Sequence, residues 1–288
     1  MIVISIPAYN EEKTITPVLR DIKEVMANQD YKILVLNDGS DDKTVEVSKK
    51  EGAIVISNPR NLGLAETFKR EMHECIKLNA DIIVHTDADG QYPSEYIPEL
   101  IKKIKEGNDL VLGSRFDKGK YSGSLMKKMG NIAFAKTFSK LLKTKITDTT
   151  TGFRAFTKEV AQLPITNSFT YTQEQLIRAG RSKMKIAEIP ITTKKTRPSR
   201  LFRNPFDHAI KAWINILRIY RDFEPIKFFG IIGTLIFTVG FGFGIWIIIN
   251  LINTGAVGGI PRVILSGLFV TTGIQIILFG FLADMLKK

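Results

Sequence analysis

Ile82-Ile83-Val84-His85-Thr86-Asp87-Ala88-Asp89-Gly90-Gln91 is the stretch that decides how this chain is read. Its apolar, β-branched start has the composition of a strand buried on both faces, and the glycine marks a turn. The turn carries two carboxylates at spacing i, i+2. Oxygens so placed can converge on one hard cation, and Mg²⁺ or Mn²⁺ held this way commonly also holds a diphosphate. For the triplet alone, a solvated acidic turn is the plain alternative.

Working outward, the first hundred residues alternate short β-branched runs with amphipathic stretches. Strands are predicted at Ile2–Ile6, Lys32–Leu36, Ala53–Ile56 and Ile82–His85, and helices at Glu12–Ala27, Asp42–Glu51 and Leu64–Asn79. Such a βαβα order implies an α/β fold with a mostly parallel sheet and ligands at the carboxyl ends of its strands. Polar clusters fall at those ends: Pro7-Ala8-Tyr9-Asn10-Glu11, Asn37-Asp38-Gly39-Ser40, and Asp87 with Asp89. Three such clusters at three strand tips would form one crevice. Ser40 taken singly reads better as a helix cap.

A further strand is predicted over Asn108–Leu112, which puts Arg115 at its end. Lys118–Ser124 reads as a basic loop and Leu125–Leu142 as a helix. Thr149–Phe156 reads as a turn entering a strand, Tyr171–Ala179 as a helix, Lys185–Thr192 as extended and Lys194–Pro205 as a basic loop. Phe206–Phe223 is amphipathic, with Trp213 and Tyr220 among its apolar positions. That suits an interfacial helix at a membrane surface, or an ordinary helix packing on the preceding domain.

The C-terminal part changes character. Pro225–Ile252 carries one charge, Lys227, and Val263–Ala283 carries none. Either could cross a hydrocarbon core, which takes roughly 20 residues as a helix. A pair of buried core helices is the alternative. The division expected is a catalytic domain over 1–203, juxtamembrane amphipathic helices over 204–224 and a membrane domain over 225–288 with two transmembrane helices. Lys and Arg precede the first span and Lys287-Lys288 end the chain, whereas the connecting loop holds only Arg262. The positive-inside tendency then makes this an integral, multi-pass membrane protein with catalytic domain and both termini cytoplasmic. Glycines in the spans would also permit a homo-oligomer. The strand-like opening is not a signal peptide.

Net charge is +12, and Lys183–Lys227 holds eleven Lys and Arg against four acidic residues. This favours phosphate-bearing partners. Nucleic acid is not expected as a partner, because the basic surplus lies beside the spans and lacks interleaved stacking aromatics except near the interface. The single cysteine, Cys75, rules out an intramolecular disulfide.

Taken in order, Pro7-Ala8-Tyr9-Asn10-Glu11, Asn37-Asp38-Gly39-Ser40, Asp87-Ala88-Asp89-Gly90-Gln91, Gly113-Ser114-Arg115 and Thr151-Gly152-Phe153-Arg154 resemble the inverting family 2 glycosyltransferases. More narrowly, they are similar to the polyprenyl-phosphate members. The resemblance covers about residues 1 to 205. It implies a GT-A (Rossmann-like) catalytic domain, a nucleotide-sugar donor, Mg²⁺ or Mn²⁺, and a dolichyl or polyprenyl phosphate acceptor in the lipid bilayer. By the same analogy Pro7, Tyr9, Glu11, Asp38, Asp87 and Ala88 line the nucleotide site, and Asp89 and Gln91 reach metal and diphosphate. Arg115 contacts a phosphate of donor or acceptor, Arg154 and Glu174 face the acceptor side, and Arg197 and Arg200 match a family loop that neutralises the leaving diphosphate. A membrane-facing basic patch is the alternative for Arg197 and Arg200, and a solvated helix face for Glu174.

Asn37 replaces a second Asp found in many members, which bears on the donor base. Gln175-Leu176-Ile177-Arg178 is followed by Ala179 in place of the tryptophan of processive synthases, which argues against a polymerising channel. The function implied is metal-dependent, inverting hexose transfer, best matched by mannose from GDP-mannose. UDP-glucose or another UDP-sugar is one alternative, and a catalytically silent membrane scaffold is another.

Overall fold

Apolar runs at the chain start explain the centre of the sheet. Every residue of β1 (Ile2–Ala8) is buried, as are the last five of β2 (Tyr31–Asn37). The computed structural model describes residues 1–116, 132, 135–140, 142, 144–165, 171–194, 214, 217–218, 220–257 and 259–286. It divides into two compact units, Met1–Arg200 and Leu201–Lys288.

The first unit is built on a seven-stranded sheet in the order β3-β2-β1-β4-β6-β5-β7. The other strands are β3 (Ile54–Ser57), β4 (Ile82–His85), β5 (Leu110–Ser114), β6 (Arg154–Thr157) and β7 (Ile186–Pro190). β6 runs antiparallel to both β4 and β5, and every other pairing is parallel. The carboxyl ends of β4 and β5 therefore share one edge with those of β1 and β2, and the turn that leads into β6 returns to that edge.

Helices α1 (Ile15–Val25), α2 (Thr44–Lys50), α3 (Leu64–Lys77) and α4 (Ile97–Lys105) cross between the early strands. α1 buries Ile15, Val18, Leu19 and Ile22, and α4 buries Ile97, Leu100, Ile101 and Ile104. Both sets follow the i, i+3, i+4, i+7 stripe of a helix with one face in a core. α5 (Lys158–Ala161) follows β6, and α6 (Tyr171–Arg181) precedes β7. The expected strands and helices recur with ends shifted by a few residues, while α4 and α5 are additions. The Lys118–Ser124 loop lies outside the described residues, as do Arg197, Arg200 and most of 125–134 and 206–223.

The second unit contains α7 (Pro225–Thr254) and α8 (Ile260–Met285), both long and apolar enough to cross a membrane. They expose large apolar side chains such as Ile231, Leu235, Ile252 and Leu278. Their mutual contact is made by small residues seven apart: Gly233 and Gly240 on α7, Ser266, Gly273 and Gly280 on α8. A Cβ on Gly233 would lie 2.7 Å from the Gly273 carbonyl oxygen, and one on Gly273 would lie 2.6 Å from the Phe237 nitrogen. Ser266 Oγ donates to the Gly240 carbonyl at 2.8 Å. Close backbone approach of this kind is what pairs helices where lipid removes the hydrophobic drive. These glycines are spent within the chain, so a homo-oligomer built on the spans would have to use their outer faces.

Candidate active site

The acidic turn leaves β4 at the carboxyl edge of the sheet. Ser5 of β1 stands opposite His85, and the Thr86 N–H donates to the Ser5 carbonyl at 3.1 Å. Beyond that point the strand ends and Asp87, Ala88 and Asp89 form the turn. Gly90 closes it at φ 72°, a conformation that costs glycine little. Asp89 Oδ1 accepts the Gln91 N–H at 2.9 Å, which folds the carboxylate and the Gln91 backbone into one unit.

Asp87 is half-buried but walled on most sides. That desolvation pushes its carboxyl up to about 6; His85 and Arg115 oppose the shift and the neighbouring Asp89 charge adds to it. Gly152 brings the following loop against it, since a Cβ there would lie 3.3 Å from Asp87 Oδ1. The loop is fixed by Tyr92, whose ring stacks on Phe153 at 5.3 Å between centroids and whose hydroxyl accepts the Gly152 N–H at 3.4 Å.

This turn fits a hard divalent cation. The Asp89 charge adds to the cost of ionising Asp87, and a cation among these oxygen donors would relieve it. Among the described residues no group of three His, Cys, Asp or Glu side chains gathers to hold a metal.

On the β1–β2 side the loops are laced together. Asn10 donates its N–H to Ser40 Oγ at 2.9 Å, and the Asn10 side chain accepts the Asp41 N–H at 2.9 Å. Ser40 thus ties two loops together and does not cap α2, which begins after Lys43 without a side-chain cap bond. Asp38 donates its N–H to the Ala8 carbonyl at 2.8 Å. Its carboxylate accepts the N–H of Leu62 at 2.9 Å, the N–H of Gly63 at 2.9 Å and the Asn58 amide at 2.7 Å. Gly39 lets this strap lie close: a Cβ there would be 2.5 Å from the Arg60 carbonyl carbon, at φ +70°. Asp38 therefore binds the 58–63 strap. Pro7 and Ala8 are buried in β1, Glu11 is buried below, and Tyr9 stands exposed at the rim. Asn37 is buried too, its amide donating to Ser57 Oγ at 3.1 Å.

On the far side, Arg115 follows β5 as expected. It is gripped by Asp148, a fully buried acid that sequence reasoning did not single out. Arg115 Nε donates to Asp148 Oδ2 at 2.7 Å and Nη2 to Oδ1 at 3.0 Å, a two-point fork. Nη2 also reaches Thr150 Oγ1 at 2.8 Å. The signal for Asp148 was a lone acid in a run of threonines, Thr147-Asp148-Thr149-Thr150-Thr151, close before the Gly152 turn.

Two expectations change. Arg154, expected at the acceptor phosphate, is fully buried. It donates to the Thr172 carbonyl at 2.9 Å, to Gln175 Oε1 at 3.1 Å and to the Thr151 carbonyl, and burial pulls its guanidinium down to about 10. Placed on β6 opposite His85, it braces the loop behind Asp87 and presents no face to a phosphate in solvent. Glu174 is no solvated residue: it is buried and pairs with Arg178 at 2.7 Å. Arg197 and Arg200 lie outside the described residues.

Comparison with known proteins agrees with this geometry. The model of the family described as "Glycosyl transferase family 2" matches residues 3–163. A dolichyl-phosphate hexose transferase of Haloferax volcanii is 37% identical over 215 residues, covering 73% of this chain and 90% of that protein. A dolichol-phosphate mannosyltransferase of Pyrococcus furiosus is 30% identical over 281 residues, covering 91% of this chain and 76% of that one. Among solved structures, glucosyl-3-phosphoglycerate synthase from Mycobacterium tuberculosis, in complex with Mn²⁺, UDP and glucosyl-3-phosphoglycerate, superposes with a TM-score of 0.61 at 22% identity. That match spans 76% of this chain and 78% of the other. The fold is therefore GT-A-like, and a chain with this sheet, this acidic turn and these relatives belongs to glycosyl transferase family 2.

Proposed function

We propose that this protein transfers a hexose from a nucleotide sugar to the phosphate of a membrane-borne polyprenol or dolichol, inverting the anomeric carbon. The observation that carries the reading is that an acidic turn and an arginine held in a fixed direction share one sheet edge. The Asp87–Gln91 turn leaves β4, and the Arg115–Asp148 fork follows β5. The Haloferax and Pyrococcus relatives, named for dolichyl-phosphate hexose and mannose transfer, support the acceptor.

The nucleotide lies over the β1–β2 side, where Pro7, Ala8, Tyr9, Glu11 and Asn37 form the floor and rim. Asp38 serves by holding the 58–63 strap. The diphosphate sits by Asp87, Ala88, Asp89 and Gln91. Asp89 and Gln91 would hold Mg²⁺ or Mn²⁺, whose positive charge would offset the negative charge of the leaving diphosphate. Arg197 and Arg200 add to it; their segment starts at Lys194, whose N–H donates to the Gln91 carbonyl at 2.9 Å.

The acceptor phosphate has a second pKa near ~6, so it is largely a dianion at neutral pH. It is a nucleophile without losing a proton, and no side chain needs to act as general base. Arg115 holds the dianion against repulsion from the donor, with Glu174 at the acceptor side. Catalysis is then positioning and electrostatics. Helices α7 and α8 span the bilayer with both termini cytoplasmic, which tethers the enzyme to the membrane that holds its acceptor.

GDP-mannose is the donor first expected and UDP-glucose the second. A panel of labelled nucleotide sugars, given to membranes holding polyprenyl phosphate with Mg²⁺ or Mn²⁺, tests the proposal. Label in the lipid fraction from one donor, abolished by EDTA, is the expected result. Label only in water-soluble products would refute the acceptor.

A further inference from the structure

We propose that Glu188 of β7 is a positioning residue for this transfer, fixing the Thr147–Asp148 backbone so that Asp148 aims the Arg115 guanidinium. The inference rests on the reading of Arg115 as a phosphate ligand.

The chain of contacts is continuous. Glu188 Oε1 and Oε2 accept the Thr147 N–H at 2.9 and 3.0 Å, Oε2 accepts the Thr147 hydroxyl at 2.7 Å, and Oε1 accepts the Asp148 N–H at 3.1 Å. Asp148 then grips Arg115 Nε and Nη2. Thr147 Oγ1 also lies 2.6 Å from Ser114 Oγ, the residue next to Arg115. Glu188 stands opposite Leu112 in the β5–β7 register, so strand pairing sets the depth of its carboxylate below the Arg115 edge.

The residue type matters. Residues 144–153 form no strand or helix, so the N–H groups of Thr147 and Asp148 have no ladder to join. A carboxylate offers acceptors on both oxygens and can take all of these donors at once. Glutamine keeps one acceptor oxygen and turns an NH₂ toward the same N–H groups. Asp148 would then lose its fixed backbone, and Arg115, a long side chain, would regain rotamer freedom. Glu188 touches no substrate in this scheme; its effect passes through Arg115.

A double-mutant cycle on the full-length protein in membranes tests the relay. The substrates are the labelled donor selected by the panel and a polyprenyl phosphate of defined length. Glu188→Gln is expected to raise the acceptor KM about tenfold, within the range that misplacement of a binding group produces. The donor KM stays within about twofold of wild type by the same argument. In an Arg115→Ala background, Glu188→Gln should change nothing further. Thr147→Val, which removes one donor to Glu188, should shift the acceptor KM the same way by less, and carries the test if Glu188→Gln fails to fold.

Additive effects in the cycle would overturn the relay on whichever constant Arg115→Ala moves. So would a fall in thermal midpoint with all kinetic constants moving together. An Arg115→Ala protein whose donor KM moves and acceptor KM does not would instead refute the acceptor reading, and the cycle would still score the relay on the donor constant. An Arg115→Ala protein with both constants unchanged overturns both.

Discussion

Asp38 and Asp148 are both buried acids at the carboxyl edge of one sheet, and their partners differ. Asp38 is filled by neutral donors, two backbone N–H groups of the 58–63 strap and an amide. Asp148 is filled by the guanidinium of Arg115. The first acid holds chain and leaves its negative charge uncancelled. The second holds a cation and forms a neutral pair. The β1–β2 side of the sheet thus stays negative with the Asp87–Asp89 turn, where a divalent ion and its diphosphate would be drawn in together. The other side keeps a guanidinium in a fixed direction, with its charge balanced by Asp148. Strand order is what separates the two sides: β6 lies between β4 and β5 and moves Arg115 one strand further from the acidic turn.

The comparison can be broken most severely at the metal turn. Asp89→Ala should lower metal-dependent turnover by about 10²-fold or more, since it removes an interaction that acts on developing charge. Near-normal turnover of the purified variant under saturating Mn²⁺ would show that the negative side is not the seat of the chemistry. Next comes Asp148→Asn, which leaves a partly buried Arg115 without its counter-charge. Breaking such a pair costs on the order of 3 kcal/mol, and thermal or denaturant unfolding should show it. A variant as stable as the parent would mean that the fork is a surface pair in energy terms.

Gly39→Ala probes the neutral side. The new methyl meets the Arg60 backbone and the φ of +70° disfavours any side chain. A loss of at least about 1–2 kcal/mol follows, together with faster trypsin cleavage at Arg60 as the strap lifts. Unchanged cleavage would sink the idea that the strap is clamped there. Smallest is Asp42→Ala. Asp42 accepts the N–H of Thr44 at 3.0 Å and that of Glu12 at 3.1 Å. These bonds hold its carboxyl below the usual range although burial alone would raise it. Its loss should cost about 1 kcal/mol with kinetic constants near wild type. A kinetic defect would extend the catalytic surface to this loop.

Much of this was legible without coordinates. Continuous apolar runs required strands buried on both faces, and the acidic and aromatic clusters fell at their ends because α/β crossovers bring every carboxyl end to one edge. The two C-terminal runs were long enough to span lipid on composition alone. α4 was not among the predicted elements, yet Ile97, Leu100, Ile101 and Ile104 carry the same spacing that identified α1; the signal was present and unread.

Other features depended on distance in space. Arg154 was expected at the acceptor phosphate by resemblance of the Thr151-Gly152-Phe153-Arg154 motif, and only the burial of its guanidinium against α6 removed it from the surface. Glu188 carries no periodic or motif signal and Asp148 only a lone acid among threonines, and their partners lie 41 and 33 residues away. The sequence by itself determined which side chains reach the sheet edge, because alternation along strands and the parallel crossover are local rules. The tertiary structure decided which of those charges are paired, since pairing depends on how strands far apart in the chain are ordered side by side.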